Sequence, residues 1–120
     1  MIANLLIMPT ITFACRNLTH TQLQQVLNYI HTHLDRDLSL IELASAINIS
    51  PTYFASLFKQ TTGISPHQYV IQQRVERAKS MLSKTDLTIA DIAFQTGFSS
   101  QSHLTQQFKR FTGMTPKQVR

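Results

Sequence analysis

Side chains that could carry catalytic or metal chemistry are few and scattered along this chain. Four Asp, two Glu and five His supply the acid–base groups, and Cys15 is the single thiol. His31 and His33 lie two residues apart, so on a helix they point to different faces and cannot both hold one metal ion. The sequence has no Gly-rich phosphate loop and no cluster with metal-ligand spacing. It therefore argues against an enzyme, and we expect no cofactor and no metal site.

The polar residues of interest belong instead to a segment that occurs twice, first at Leu38–Tyr69 and again at Leu87–Arg120. The copies match at apolar and turn positions such as Phe58 and Phe108, with one extra residue in the second copy near Gln101. Each copy has the pattern of a short amphipathic helix, a tight turn and a longer amphipathic helix. This pattern predicts two helix-turn-helix units.

Capping signals stand before each predicted helix. Ser, Thr and Asn side chains accept hydrogen bonds from the first free amides of a helix, and Pro is tolerated at its first position. Asn48 and Gly97 stand where each copy turns, and both residue types tolerate the left-handed conformation. The predicted helix starts are Thr19 (with Gln22), Ser39 (with Glu42), Ser50 (with Pro51), Ser65 (with Pro66), Thr88, Ser99 or Ser100, and Thr115 (with Pro116).

Apolar residues recur at intervals of three and four, which predicts an all-α fold of six to seven helices. We predict residues 1–18 as a lead-in or linker remnant, 19–64 as the first unit, 65–83 as a linker helix and 84–120 as the second unit. The first helix is predicted at about Thr21 to Leu34. The predicted inward positions are Leu23, Val26, Leu27, Ile30, Leu34, Leu40, Leu43, Ala44, Ile47, Phe54, Leu57, Phe58, Ile71, Val75, Ala78, Leu82, Ile89, Ile92, Ala93, Leu104, Phe108 and Phe111.

Net charge and cysteine content indicate which classes of partner and which compartment the protein suits. A formal net charge of +5 favours anionic partners, nucleic acid first. A single Cys allows no internal disulfide, so a reducing cytoplasm is the expected location. The apolar run from Met1 to Cys15 is shorter than the roughly 20 residues that span a bilayer, and we expect no membrane insertion.

The repeated segment resembles the DNA-binding domain of AraC/XylS-type bacterial transcription regulators, over about residues 21–120. The residues that carry the resemblance are Leu43-Ala44, Ser50-Pro51-x-Tyr53-Phe54-x-x-x-Phe58-Lys59-x-x-x-Gly63-x-Ser65-Pro66-x-x-Tyr69, Arg74-x-x-x-Ala78, Ile92-Ala93-x-x-x-Gly97-Phe98-Ser99 and Phe108-Lys109-Arg110-x-x-Gly113-x-Thr115-Pro116.

The resemblance implies two homeodomain-like helix-turn-helix units on a long linker helix, with the third and sixth helices entering successive major-groove faces of duplex DNA. By position, the implied base readers are Thr52, Ala55, Ser56, Gln101, Ser102, His103 and Gln106. Gln pairs bidentately with adenine, whereas Ala and Thr offer a methyl contact or one hydroxyl bond. We therefore expect the second unit to supply more of the hydrogen-bonded readout. The expected phosphate contacts are Ser50, Lys59, Arg74, Arg77, Ser99, Lys109 and Arg110.

The resemblance also implies a sequence-specific transcription regulator that contacts RNA polymerase. An effector-binding or dimerising domain would lie upstream of Met1. Two other functions stay open at this point. A DNA-repair methyltransferase would use a reactive Cys, but Cys15 lacks the surrounding Cys pattern. A protein-binding remnant or antagonist without its own DNA recognition would fit the small side chains of Thr52, Ala55 and Ser56.

Overall fold

The computed structural model describes residues 17–120, and this part of the chain is all-helical. The fold class predicted from the sequence, all-α with six to seven helices, is confirmed. The prediction for residues 1–18 falls almost wholly outside the described residues, as does Cys15. The seven described helices are α1 (His20–Thr32), α2 (Leu40–Ser45), α3 (Pro51–Thr62), α4 (Pro66–Lys84), α5 (Ile89–Gln95), α6 (Gln101–Thr112) and α7 (Pro116–Val119).

Most helix starts lie where the capping signals predict them. At α1 the bonds are reciprocal, because the Thr19 amide donates to Gln22 Oε1 at 3.0 Å and the Gln22 amide donates to Thr19 Oγ1 at 3.1 Å. At α2 the Glu42 amide donates to Ser39 Oγ at 3.0 Å, and the Glu42 carboxylate accepts a hydrogen bond from the Tyr29 hydroxyl. These side chains satisfy amides that have no partner inside the helix.

Two compact units make up the described chain. The first comprises the described residues up to Tyr29 together with Ser39–Pro66. Its buried side chains come from one face of each of its helices, as the apolar spacing predicts. Phe54 and Phe58 pack with ring centroids 5.6 Å apart. The other buried apolar residues of this unit are Leu18, Val26, Leu43, Ala44, Ile47 and Leu57.

The second unit comprises Ile30–Leu38 and His67–Arg120, so it includes nearly all of the long helix α4. Its core is built where the inward faces of α4, α5 and α6 meet. Burial of these side chains removes apolar surface from water, which is the main favourable term in folding. The core residues are Ile71, Val75, Ala78, Leu82, Ile92, Ala93, Phe98, Leu104 and Phe108, with Met81, Leu87, Ile89 and Val119 at its edge.

Two residues predicted to face inward are exposed, Leu40 at the start of α2 in the first unit and Phe111 in the second. Phe111 follows Leu104 and Phe108 at helical spacing, yet 39% of its surface is exposed. The ring lies in the last turn of α6, where the guanidinium of Arg110 stands 5.9 Å from its centroid. The prediction that Phe111 faces the core is wrong, because spacing gives the direction of a side chain but not whether another element covers it.

Candidate nucleic-acid interface

The first turns of α3 expose a small, weakly polar face. Ser50 caps this helix, with its Oγ accepting from the Tyr53 amide at 3.3 Å. The opposite face of α3 is anchored in the first unit by its buried aromatic and leucine side chains. Thr52 and Ser56 are exposed and Ala55 is half-buried, so these three predicted base readers lie on the accessible side of the helix.

The first turns of α6 expose a larger and more polar face. Buried Leu104 and Phe108 anchor the helix in the second unit. Gln101, Ser102 and Gln106 are exposed. Together with neighbouring side chains they line an open depression of about 670 Å³. Its lining residues are Ser100, Gln101, Ser102, His103, Thr105 and Gln106.

Helices α3 and α6 share one register from cap to cap. Ser50 and Ser100 are their N-caps, and Gly63 and Gly113 are their left-handed C-caps. Ser100 and Gly113 each stand 50 positions after their counterparts in the first copy. The sequence left Ser99 or Ser100 as the cap of α6, and the structure selects Ser100. Ser99 therefore lies outside the helix start for which its phosphate contact was predicted.

The extra residue of the second copy lies in the turn before α6. Asn48 and Gly97 are the left-handed residues of the two turns, with φ of 59° and 87°. Two residues separate Gly97 from Ser100, where the first copy has one. The sequence comparison put this extra residue near Gln101, inside the helix. Because the extra residue precedes α6, residues of α3 and α6 at equal distances from their Ser caps are equivalent.

This register reveals an accessible residue that the sequence comparison missed. With α3 and α6 aligned on their caps, the equivalent pairs are Thr52 with Ser102, Ala55 with Thr105, and Ser56 with Gln106. Thr105 is half-buried and lines the depression on α6. The matching Ser N-caps and Gly C-caps were the signal that could have identified it.

His103 is held against the turn that precedes α6. Its amide donates to Ser100 Oγ at 3.0 Å, and its ring Nδ1 lies 3.2 Å from Ser99 Oγ. The imidazole also stands edge-on to the Phe98 ring, with centroids 5.2 Å apart and an interplanar angle of 88°. These contacts orient the imidazole on the turn. The base-reading role expected of His103 stays a prediction.

Arg74 has a structural position instead of the predicted phosphate contact. Only 7% of its surface is exposed. Its Nε donates to the Leu34 carbonyl at 3.0 Å and its NH2 group donates to the Arg36 carbonyl at 2.6 Å. Burial lowers the pKa of Arg74, while the charges of Asp37 and Asp35 act in the opposite direction. The guanidinium thus satisfies two carbonyls that follow α1, and it is not presented to solvent.

Arg77 also donates a hydrogen bond within the protein, but its side chain is less buried than that of Arg74. Its NH2 group donates to the His31 carbonyl at 2.9 Å, and the side chain is half-buried. The exposed cations of α3 and α6 are Lys59 in the last turn of α3 and Lys109 and Arg110 in the last turn of α6. These three remain predicted phosphate contacts, and Arg74 drops out of the candidate interface.

Neither a metal-binding cluster nor a membrane span occurs in the part of the chain that the structure describes. Within residues 17–120, no three His, Cys, Asp or Glu side chains come together in a way that could hold a metal ion. None of the described helices combines the length and the apolar character needed to cross a bilayer.

Comparison with known proteins identifies the family. A family profile described as a helix-turn-helix domain matches residues 43–120, which span the second half of α2 and everything after it. The solved structure of an AraC-type DNA-binding domain-containing regulator from Chromobacterium violaceum matches with a TM-score of 0.79 at 27% identity, over 83% of this chain and 89% of that one. This chain belongs to the AraC-type helix-turn-helix family.

Two further solved structures resemble this AraC-type domain. The C-terminal domain of the two-component response regulator yesN from Fusobacterium nucleatum has a TM-score of 0.78 at 31% identity, covering 83% of this chain and 98% of that one. The DNA-binding domain of the global transcriptional factor AdpA, solved in complex with a target DNA, has a TM-score of 0.77 at 30% identity, covering 81% and 87%.

Curated relatives of the AraC-type domain are much longer than this chain. LumQ of Photobacterium leiognathi, described as a probable transcriptional regulator, is 40% identical over 89 residues, which are 74% of this chain and 36% of LumQ. An HTH-type transcriptional regulator of Staphylococcus aureus is 41% identical over 103 residues, which are 86% of this chain and 14% of the relative. The chain thus corresponds to a minor part of either protein.

Proposed function

We propose that this AraC-type domain binds duplex DNA sequence-specifically and is the DNA-reading part of a transcription regulator. The observation that carries the proposal is the shared register of α3 and α6. Each helix is capped by Ser at its start, anchored by buried aromatic side chains on one face, and exposes small or polar side chains on the first turns of the other. The N-terminal turns of a helix with this presentation fit the major groove.

The chemistry of the two faces supports unequal contributions to readout. In α6 the carboxamides of Gln101 and Gln106 can each pair bidentately with adenine N6 and N7. In α3 the hydroxyls of Thr52 and Ser56 can make single hydrogen bonds, and Ala55 can contact a thymine methyl group. We propose that α6 supplies most of the hydrogen-bonded discrimination and that α3 contributes mainly shape and methyl contacts.

Contacts to the phosphate backbone of the DNA would supply most of the binding affinity. Lys59, Lys109 and Arg110 are exposed in the last turns of the two reading helices, where their ammonium and guanidinium groups can reach phosphates. The amides at the starts of α3 and α6 can also donate hydrogen bonds to phosphates, because a helix N-terminus carries partial positive charge. The net charge of +5 adds a general electrostatic attraction to the phosphate backbone of DNA.

The wider role of the chain is a further part of the proposal. We propose that the chain acts at a promoter through contact with RNA polymerase, with no catalytic step of its own, in the bacterial cytoplasm where both partners occur. Relatives named as transcription regulators are longer than this chain. An effector-binding or dimerisation domain encoded upstream of Met1 is therefore part of the proposal. The predicted division into first unit, linker helix and second unit remains part of it as well.

Selection from a random duplex pool tests the proposal. The protein of residues 1–120 is incubated with the pool at two salt concentrations, and bound duplexes are sequenced. We expect an asymmetric motif spread over about two helical turns, with affinity falling steeply as salt rises. A motif confined to one turn would limit base reading to one helix. Absence of any enriched motif at moderate salt would overturn the proposal in favour of a protein-binding role.

A further inference from the structure

We infer that α6 selects A·T base pairs, with Thr105 as an additional base-contacting residue whose methyl group packs on a thymine C5-methyl beside the adenine held by Gln106. This inference rests on the proposed function and names the base pairs that the second unit prefers. Three features of α6 carry it: the place of Thr105, the free state of its side chain, and the side-chain types that are absent from the same face.

The place of Thr105 is fixed by the caps of α6. It is the counterpart of Ala55 in α3, immediately before Gln106, and it lines the open depression on the accessible side of the helix. Thr105 and Gln106 stand three and four residues after the exposed Ser102, and residues at these spacings share one side of a helix. The two side chains therefore flank Ser102 on the face that lines the depression. Both side chains can therefore meet neighbouring bases in one groove.

The Thr105 hydroxyl is not used inside the described part of the chain. Other helical threonines donate to the carbonyl four residues earlier, as Thr61 does to Leu57 at 2.8 Å and Thr112 does to Phe108 at 2.7 Å. Among the described residues, neither Thr105 nor Gln106 makes a side-chain hydrogen bond. Their polar and methyl groups are available to a ligand in the groove.

The same face lacks the side chains that select G·C pairs. Guanine is read most often by Arg or Lys, and cytosine can be read by Asp or Glu. None of these occurs from Gln101 to Phe108, and the nearest cations, Lys109 and Arg110, lie in the last turn. His103 is oriented by Phe98. The exposed Ser102 hydroxyl can bond to bases of either pair and does not discriminate between them. The readers that do discriminate are the Gln carboxamides, which suit adenine, and the Thr105 methyl group, which suits thymine.

The experiment pairs a protein methyl group with a DNA methyl group. The α6 segment of the selected site is first assigned as the positions whose base preference relaxes in Gln106→Ala. Each thymine of that segment is then replaced by deoxyuridine, which lacks the C5-methyl. Thr105→Ser removes the protein methyl and keeps the hydroxyl, whereas Thr105→Val keeps a methyl and removes the hydroxyl. Thr21→Ser, at an exposed position of α1, serves as the matched control.

We expect A·T pairs in the α6 segment and about fourfold weaker binding of wild type when one thymine loses its methyl, the size expected for one buried methyl group. Thr105→Ser should bind the thymine and uracil duplexes equally, while Thr105→Val and Thr21→Ser should still discriminate. G·C pairs in the α6 segment, or an unchanged thymine preference in Thr105→Ser, would overturn this inference and leave the proposed function standing. If no motif is enriched from the random pool, both this inference and the proposed function are overturned.

Discussion

Gly97 lies directly against Arg74. A Cβ atom placed on Gly97 would stand 2.7 Å from Arg74 Nε and 2.1 Å from the Leu34 carbonyl oxygen that this Nε bonds. The turn before α6 thus packs against the buried hydrogen bond between Arg74 and Leu34, and it fits there because Gly97 has no side chain. Arg74 and Gly97 are thus in contact at the turn that leads into the Ser100 cap of α6.

We predict that Gly97→Ala destabilises the protein more than Gly113→Ala does. Both glycines have positive φ, which costs a non-glycine residue about 1–2 kcal/mol. Only at Gly97 does a Cβ also meet backbone, since nothing lies within 4 Å of a Cβ at Gly113. Urea unfolding of both variants measures the difference. Equal losses would show that the turn shifts to make room.

We predict that Arg74→Met lowers the free energy of unfolding by about 1.5–3 kcal/mol, because two carbonyls lose a charged hydrogen-bond donor. Arg77→Met is the matched control, since it removes one bond from a half-buried side chain and should lose about 0.5–1.5 kcal/mol. The salt dependence of DNA binding by folded Arg74→Met should equal that of wild type. A slope reduced by about one would assign Arg74 to a phosphate contact after all.

We predict that Gln106→Ala weakens binding to the selected site by about 1–3 kcal/mol and relaxes the preference at one base pair. The reason is loss of a bidentate carboxamide contact. Gln72→Ala, at an exposed position of α4, is the control and should bind as wild type does. Titrations against the selected duplex and its single-base variants measure both effects. The same loss on every duplex would speak against base reading by Gln106.

We predict that Lys109→Ala weakens binding to all duplexes alike. One phosphate contact contributes about 0.9 to the slope of log K against log salt, so the slope should fall by about that amount. Lys79→Ala removes an exposed charge from α4 and should leave the slope unchanged. Affinities at four or more salt concentrations give the slopes. If the two variants behave identically, Lys109 is a solvated lysine.

We predict that Phe108→Ala lowers the free energy of unfolding by about 3–5 kcal/mol, because the fully buried ring would leave a cavity in the core of the second unit. Phe111→Ala, in the next turn, removes a ring that is 39% exposed and should lose on the order of 1 kcal/mol. Denaturant unfolding compares them. Similar values for the two would mean that the ring of Phe111 contributes burial that its exposure does not reveal.

Local signals in the sequence predicted most of the helices correctly. The Thr19–Gln22 box and the Ser39, Ser50 and Thr115 caps all form as predicted, because a cap depends only on residues within one turn. The linker helix, predicted to end at about residue 83, ends at Lys84. Helical spacing also selected Phe54, Phe58, Leu104 and Phe108 as core residues, since one face of each helix must leave water.

The candidate interface was predicted less completely. Thr52, Ser56, Gln101, Ser102 and Gln106 are accessible as expected, because they lie opposite the apolar stripe. Thr105 was missed although the match of Phe58 with Phe108 already pairs it with Ala55, because only its longer and more polar neighbours were selected as base readers.

Periodicity and capping, read from the residues alone, were sufficient for the all-α class, the two helix-turn-helix units and the inward face of most helices, because these features depend on neighbours within a few positions. Only the tertiary structure could assign Ser100 as the cap, expose Phe111 and turn Arg74 inward. The position of Arg74 depends on groups distant in sequence: its guanidinium bonds the carbonyls of Leu34 and Arg36, about 40 positions away, because carbonyls left unpaired after α1 need a donor.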